Sequence, residues 1–203
     1  MSAKPCAPAA ERNSGPILDV LRDVLTEPAS VLEIGSGTGQ HAIRFGAELP
    51  HLSWQTSDLE ENHAGIRAWL DEANLPNVRP PIVVDVLAAQ LPPASYDAVY
   101  SANTTHVMSI DAVARMFELV GSVLRAGGPF CLYGPFRQNG EFNAASNAQF
   151  DAKLRGQDPE MGIRDFEDLE RLAAVNGLRR RQLFAMPSNN YLVVWEKEGE
   201  DTA

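Results

Sequence analysis

Short apolar runs alternate with amphipathic segments along most of this chain. The runs are bounded by glycine, proline and polar residues and predict buried strands, whereas apolar residues spaced three and four apart predict helices. The predicted strands are 31–34, 52–56, 82–84, 96–100, 130–133, 180–185 and 191–196. Strands that alternate with helices predict an α/β protein, with a mostly parallel sheet and helices on both faces.

Local signals set the predicted ends of two helices. Ser14 precedes Pro16 and caps a first helix, which Pro28 ends. Asp165 caps a late helix, with Asp168 in the position of a capping-box partner. Further helices are predicted up to residue 45, around 66–73 and over 110–124. The last two predicted strands are joined by only residues 186–190, which predicts an antiparallel hairpin because a parallel return needs a longer connection.

A glycine-rich turn follows the first predicted strand. The run Val31–Ile34 leads into Gly35, Gly37 and Gly39, and the next residues open a helix. Glycine allows a sharp reversal and lets the backbone approach a ligand closely, because it has no Cβ. The N–H groups at the start of the helix would point at that ligand. The arrangement predicts a nucleotide-type cofactor site.

The spacing of the glycines separates two kinds of cofactor site. The dinucleotide fingerprint is G-x-G-x-x-G, and here Gln40 occupies the position of its third glycine. Glu33 stands inside the strand, where a carboxylate would repel a pyrophosphate but suits a cationic ligand. The pattern E-x-G-x-G-x-G resembles the first motif of the S-adenosylmethionine-dependent methyltransferases. An NAD-dependent oxidoreductase and a turn without a ligand are the alternatives.

The composition is that of an ordinary globular domain with an excess of acidic residues. The chain has 203 residues, 44% of them hydrophobic, and a formal net charge of −10. This charge disfavours nucleic acid, because it offers no attraction to a phosphate backbone. No apolar run reaches the length of a membrane span, and the two cysteines fit neither a disulfide framework nor a metal site. A small-molecule ligand and a cytoplasmic location are therefore expected.

The length fits one domain with a sizeable core, which we expect over residues 11–197. The Pro/Ala-rich segment 1–10 and the polar segment 198–203 are expected to be disordered tails. Neither segment has enough apolar surface to offset the entropy lost on ordering.

Together with the terminal hairpin, the glycine turn resembles the class I methyltransferases, whose seven-stranded, Rossmann-like sheet has this layout. Ligands of open α/β sheets bind beyond the carboxyl ends of the strands, and polar residues fall at each of these ends here. The resemblance implies that Asp58 holds the ribose and Asp85 the adenine of S-adenosylmethionine. The implied cofactor-binding residues are Glu33, Gly35, Ser36, Gly37, Gly39, Asp58, Leu59, Asp85, Val86 and Asn103.

Asn103 and His106 follow the fourth predicted strand, where a methyl acceptor would lie, and are the catalytic candidates. His106 is able to remove the acceptor's proton, because imidazole titrates near neutral pH. Capping the next helix, or lining the pocket without proton transfer, is the alternative role. Methyl transfer from a sulfonium is already downhill, so positioning alone is sufficient for many such enzymes.

A narrower resemblance covers residues 11 to 197. Its segments are 12–13, 32–34, 36–41, 54, 57–58, 103, 106, 133–136, 146–147, 150–151, 158–160, 162–165 and 186–190. They are similar to a bacterial family of unknown function related to methyltransferase-like protein 26. That family is S-adenosylmethionine-dependent by its fold and first motif, so the resemblance implies the cofactor and leaves the acceptor open.

Six polar residues of this pattern are candidates for substrate binding: Arg12, Asn13, Tyr133, Arg137, Asn147 and Arg164. Arg12 and Asn13 are predicted to fold over the cofactor as a lid, with a helix cap as the alternative for Asn13. Arg137 and Arg164 can hold an anionic acceptor by paired hydrogen bonds. They can equally pair with acidic residues of the same region, such as Asp165, and fix a long loop.

The sequence therefore predicts methyl transfer from S-adenosylmethionine to a small-molecule acceptor, without a metal. A non-catalytic sensor that keeps the cofactor pocket is an alternative, because a binding motif does not prove turnover. The accepting atom (oxygen, nitrogen, sulfur or carbon) and the oligomeric state (monomer or homodimer) stay open.

Overall fold

The computed structural model describes residues 4–27 and 29–199. Its helices are α1 (Pro8–Val24), α2 (Gln40–Glu48), α3 (His63–Ala73), α4 (Ile110–Val123), α5 (Ala145–Gln157) and α6 (Phe166–Val175). Its strands are β1 (Ala29–Ile34), β2 (Leu52–Asp58), β3 (Val78–Val83), β4 (Ala98–Ala102), β5 (Pro129–Gly134), β6 (Phe136–Arg137), β7 (Arg164–Asp165), β8 (Leu178–Met186) and β9 (Asn190–Lys197).

Seven of the strands form one sheet in the order β3-β2-β1-β4-β5-β9-β8. Strands β1 to β5 are parallel, and β9 runs antiparallel to both β5 and β8. The predicted sheet and its terminal hairpin are thus confirmed. Strands β6 and β7 pair with each other in a separate two-stranded sheet, which the sequence did not predict.

Helices cover both faces of the large sheet and create two apolar cores. On one face, α4 and α6 pack over a cluster that contains Phe117, Phe130 and Trp195, with ring centroids 5.5 to 5.6 Å apart. On the other face, α1 and α2 cover a second cluster. Val31 and Leu32 of β1 lie in different clusters, because successive side chains of a strand point to opposite faces. Because both faces of β1 are buried, consecutive residues of the strand are apolar.

The first helix begins earlier than predicted. Helix α1 starts at Pro8, so Ser14 lies inside it and does not cap it, and residues 8–10 are helical where a disordered tail was expected. The preceding residues are held by the Trp69 indole N–H, which donates to the carbonyl of Pro5 (2.6 Å). The helix ends at Val24, and Pro28, its predicted end, lies outside the described residues.

Other element boundaries also differ from the prediction. Strand β3 begins at Val78 and includes two prolines, which are tolerated because β3 is an edge strand. Strand β4 lies two residues later than predicted. Asp165 precedes α6 but its side chain accepts from the backbone N–H of Gly140 (2.8 Å), so the predicted capping box with Asp168 is wrong.

Candidate functional site

A cleft of about 890 Å³ opens at the carboxyl ends of the parallel strands. Its walls come from the loops after β1 to β5, the first turns of α1, the helix α5 and the turn between β8 and β9. The volume lies in the upper part of the range for small-molecule sites. The cleft also spans the junction of β1 and β4, where the strand order reverses and such sheets bind ligands.

The predicted glycine turn forms part of this cleft. Gly35, Gly37 and Gly39 have φ of 74°, 58° and 87°, in the left-handed region that favours glycine. A Cβ on Gly35 would lie 2.5 Å from Cγ2 of Thr104, so the turn packs closely against the loop after β4. A Cβ on Gly37 would meet no protein atom within 4 Å and would stand in open space. The backbone at Gly37 is therefore exposed to a ligand.

Asp58 connects the end of β2 to this turn. Its Oδ2 accepts from the backbone N–H of Gly37 (2.7 Å), and its Oδ1 accepts from Leu59 N–H (2.8 Å) and the Asn62 amide (2.7 Å). Asp58 and Leu59 both line the cleft. A carboxylate has about four acceptor positions, so Asp58 retains capacity for a ligand hydroxyl after these three bonds.

Glu33 lies beneath the turn and does not line the cleft. Its Oε2 accepts from the Trp54 indole (3.1 Å) and from the Ser36 hydroxyl (2.8 Å), and its side chain is buried. Burial raises the pKa of Glu33 to about 7, against the opposing effect of these hydrogen bonds. Glu33 therefore organises the turn through these hydrogen bonds and does not stand in the cleft wall.

The end of β3 contributes Asp85 and Val86 to the cleft. Asp85 Oδ1 accepts from the backbone N–H of Leu87 (3.0 Å), which fixes the carboxylate at the edge of the sheet. The partly buried Asp85 and apolar Val86 suit a base with a polar edge and a flat apolar face. That adenine binds beside Asp85 stays a prediction.

The loop after β4 brings the two catalytic candidates into the cleft. Asn103 has a φ of 59°, and its backbone N–H donates to the carbonyl of Tyr133 (2.9 Å). His106 is buried, and its ring meets Phe150 edge to face with centroids 5.2 Å apart. Burial, with a smaller effect of the Arg164 charge, lowers the pKa of His106 to about 4. The imidazole is therefore neutral at pH 7.

Arg164 supports this loop from behind and does not line the cleft. Its guanidinium donates to the carbonyls of Thr105 (3.0 Å), Met108 and Glu160 (2.6 Å). Arg137 lies 3.7 Å from Asp165 and over the ring of Phe142, again outside the cleft. Both arginines thus take structural positions, one through backbone carbonyls and the other beside an aspartate.

The first turns of α1 lie over the glycine turn. Arg12 lines the cleft and makes no ion pair with a described residue, whereas Asn13 is held against α2. His41 Nε2–H donates to Asn13 Oδ1 (2.8 Å), and the Tyr100 hydroxyl donates to His41 Nδ1 (3.2 Å). Burial lowers the pKa of His41 to about 4, which fits this neutral tautomer.

The structure gathers most of the predicted site residues into the cleft. Those that line it are Arg12, Gly35, Ser36, Gly37, Asp58, Leu59, Asp85, Val86, Asn103, His106 and Asn147. Those that do not are Asn13, Glu33, Gly39, Tyr133, Arg137 and Arg164. The sequence did not single out the lining residues His41, Asn62, Phe150 and Asn190. His41, Phe150 and Asn190 lie in segments 36–41, 150–151 and 186–190 of the family resemblance, which could have found them, whereas Asn62 lies in none of its segments.

The described part of the chain, 4–27 and 29–199, holds no group of three His, Cys, Asp or Glu side chains able to bind a metal ion. Within the same residues, no helix is long and apolar enough to cross a membrane.

Solved methyltransferases share this fold at low sequence identity. An O-methyltransferase family protein from Burkholderia thailandensis has a TM-score of 0.82 and 16% identity, over 95% of this chain and 58% of that one. An O-methyltransferase family 2 protein from Planctomyces limnophilus, in complex with apigenin, has a TM-score of 0.80 and 15% identity, over 93% of this chain and 57% of that one. PigF, solved with S-adenosylhomocysteine (SAH), has a TM-score of 0.78 and 16% identity, over 92% of this chain and 56% of that one. The fold is that of a class I methyltransferase, and the chain spans a little over half of these proteins.

The family follows from the sequence. Residues 4–197 match the family described as "Protein of unknown function (DUF938)", and the chain belongs to it. The prediction that the chain belongs to a family of unknown function is thus confirmed. The relation to methyltransferase-like protein 26 stays a prediction.

Proposed function

We propose that this protein transfers a methyl group from S-adenosylmethionine to a small-molecule acceptor. The observation that carries the proposal is the cleft at the β1–β4 junction, where the exposed backbone of Gly37 and the carboxylates of Asp58 and Asp85 line one cavity. The class I methyltransferase fold of the chain supports it, as does a structural neighbour solved with SAH.

The residues of the cleft fit the parts of the cofactor. Asp58 retains acceptor capacity for ribose hydroxyls, and Asp85 beside Val86 suits adenine. Arg12 lies with the glycine turn in the cleft wall and suits the carboxylate of the methionine part, since a guanidinium binds carboxylates in a bidentate manner. When bound, the cofactor supplies an electrophilic methyl group on a sulfonium. The chain's own contribution is to orient this group towards the loop that holds Asn103 and His106.

A dinucleotide fits the turn less well. Gln40, in place of the third glycine, uses its Oε1 to accept from the N–H of Ala7 (2.6 Å) and from the Thr38 hydroxyl (2.9 Å). It thereby anchors the segment before α1 at the start of α2. NADH is for this reason the appropriate comparison ligand in a binding experiment.

A pair of glycine variants tests the proposal. Gly37→Ala adds a methyl group in the open space of the cleft, whereas Gly127→Ala adds one at a site that also has open space and a positive φ (79°) but lies outside the cleft. Both variants carry similar backbone strain of about 1–2 kcal/mol. Calorimetric titration with SAH is expected to show micromolar binding to wild type and Gly127→Ala, with at least tenfold weaker binding to Gly37→Ala.

Two results would count against the proposal. One is the absence of heat and of thermal stabilisation when wild-type protein is mixed with SAH or S-adenosylmethionine. The other is tighter binding of NADH than of SAH. Equal loss of affinity in the two variants would show that strain, and not contact with the ligand, weakens binding.

A further inference from the structure

Charged side chains are distributed unevenly along the cleft. Arg12, Asp58 and Asp85 all belong to the half built by α1 and the ends of β1, β2 and β3. In the half built by the loops after β4 and β5, by α5 and by the β8–β9 turn, no described Lys, Arg, Asp or Glu side chain lines the wall. The half left for an acceptor is therefore uncharged.

The two arginines that the sequence offered for an anionic acceptor, Arg137 and Arg164, do not supply a cation to this half. Arg164 donates to three backbone carbonyls, and Arg137 lies 3.7 Å from Asp165, with its Nε buried and without a partner among the described residues. Neither lines the cleft. An anionic acceptor would have to lose water here without a cation to replace it, which is costly. A cationic acceptor would equally lack a carboxylate.

The same wall carries exposed apolar surface. Phe150 is 36% exposed and meets the His106 ring edge to face, and Val107 is 46% exposed. Met108, Ala112 and Pro135 complete the apolar wall. Aromatic rings pack on one another in offset or edge-to-face arrangements, so Phe150 offers a surface for a ring of the acceptor.

Two neutral side chains in this half are left to accept a hydrogen bond. The Asn147 amide N–H groups donate to Asn143 Oδ1 (2.8 Å) and to the carbonyl of Asn189 (3.0 Å), while its Oδ1 accepts from no described residue. The His106 ring makes no hydrogen bond to a described residue: its Nδ1 is enclosed by the protein, which leaves Nε2 as the nitrogen that a ligand in the cleft can reach. A neutral imidazole has one acceptor nitrogen. Both groups call for a ligand that donates, such as a hydroxyl.

We propose that the acceptor is a neutral aromatic molecule bearing a hydroxyl group, packed on Phe150 and oriented by His106 and Asn147. The proposal rests on the proposed function and names its substrate class. The hydroxyl oxygen forms a bond to the methyl carbon as the carbon–sulfur bond breaks, and the sulfur keeps the electron pair. The oxygen becomes strongly acidic as it takes the methyl group, and its proton passes to His106 and then to water.

Binding of three naphthalene probes to protein saturated with SAH tests this. The probes are 2-naphthol, the anion 2-naphthoate and the cation 2-naphthylmethylammonium, which share a ring system and differ in charge. We expect 2-naphthol to bind at least tenfold more tightly than either ion at pH 7. We expect Phe150→Ala to lower the affinity for 2-naphthol at least fivefold. The control variant Val175→Ala shortens a 79% exposed side chain outside the cleft and should leave this affinity unchanged.

The outcomes separate the two proposals. If SAH binds but 2-naphthol shows no preference over the ions, or no binding, the acceptor class is wrong and the proposed function stands. If SAH itself does not bind, the proposed function fails. Phe150→Ala should leave the affinity for SAH unchanged, which shows that the variant is folded.

Discussion

Glu33 supports the glycine turn from within the core. Both of its hydrogen bonds, from Trp54 and Ser36, reach the same oxygen, and its side chain is only 2% exposed. Burial keeps its proton bound to about pH 7, whereas an unfolded glutamate loses it near 4.5. Burying the charged form of Glu33 therefore lowers the stability of the fold only as the pH rises.

Glu33→Gln should change the pH dependence of stability. Between pH 4.5 and 7 the unfolded wild-type chain releases a proton that the folded chain retains, so wild type loses stability as the pH rises, by about 3 kcal/mol. Glutamine keeps an oxygen for Trp54 and Ser36 and has no charge to bury. The free energy of unfolding of the variant, relative to wild type, should therefore increase as the pH rises across this window. Urea unfolding at pH 4.5, 6 and 7.5 measures it.

The difference between variant and wild type is the quantity to compare. Burial lowers the pKa of His41 and His106 to about 4, so these groups make stability rise with pH in an overlapping range. They contribute equally to both proteins and cancel in the difference. A difference that is constant with pH would contradict a raised pKa at Glu33.

Residues at strand ends could be placed from the sequence, and those beyond β5 could not. Gly35 and Asp85 follow predicted strands directly and Asp58 follows one after a single residue, and the carboxyl ends of parallel strands share one edge of the sheet. Arg137 and Arg164 lie on β6 and β7, whose two-residue pairing leaves no periodic signal. Their side chains turn to carbonyls and to Asp165, a choice that only the tertiary packing decides.

Helices α4 and α6 meet closely at Gly121. A Cβ on this residue would lie 2.6 Å from the backbone oxygen of Asn176, just beyond the end of α6. The absence of a side chain there lets the two helices pack side by side over the sheet. Gly156 of α5 offers a contrast, because a Cβ there would meet nothing within 4 Å.

Alanine at these two helical glycines should therefore change stability in opposite directions. Gly121→Ala forces α4 and the end of α6 apart and is expected to cost about 1–3 kcal/mol. Gly156→Ala fills no occupied space and should stabilise by roughly 0.5–1 kcal/mol, through the higher helix propensity of alanine. Thermal unfolding followed by circular dichroism measures both. Stabilisation by Gly121→Ala would disprove the close approach.

The strongly patterned elements were predictable, while helix α5 and the start of α1 were missed for physical reasons. Helix α4 was predicted from apolar residues at helical spacing, and three of them, Val113, Phe117 and Val120, are among the eight residues that it buries. Helix α5 buries only Asn147, Asp151 and Leu154, two of which are polar, so no apolar stripe marks it. The start of α1 was misplaced because Pro8 and Pro16 both fit the first turn of a helix, and Ser14 made the later one look capped.

At the scale of the whole molecule, the sheet places the two halves of the cleft side by side. The ends of β1, β2 and β3 carry the residues suited to the cofactor, and β4 and β5 lead into the uncharged half of the cleft. The first turns of α1 cover the glycine turn and are fastened to α2 through Gln40 and His41. The methyl donor and its acceptor would thus meet at the β1–β4 junction.

Transfer of a labelled methyl group tests this account most directly. Protein incubated with methyl-labelled S-adenosylmethionine and a small-molecule extract of bacterial cells should yield a labelled product and an equal amount of SAH. Gly127→Ala should retain this activity, and Gly37→Ala should lose at least nine-tenths of it at limiting cofactor. Tight binding of SAH with no labelled product from any fraction would contradict the account and would indicate a sensor that binds the cofactor without turnover.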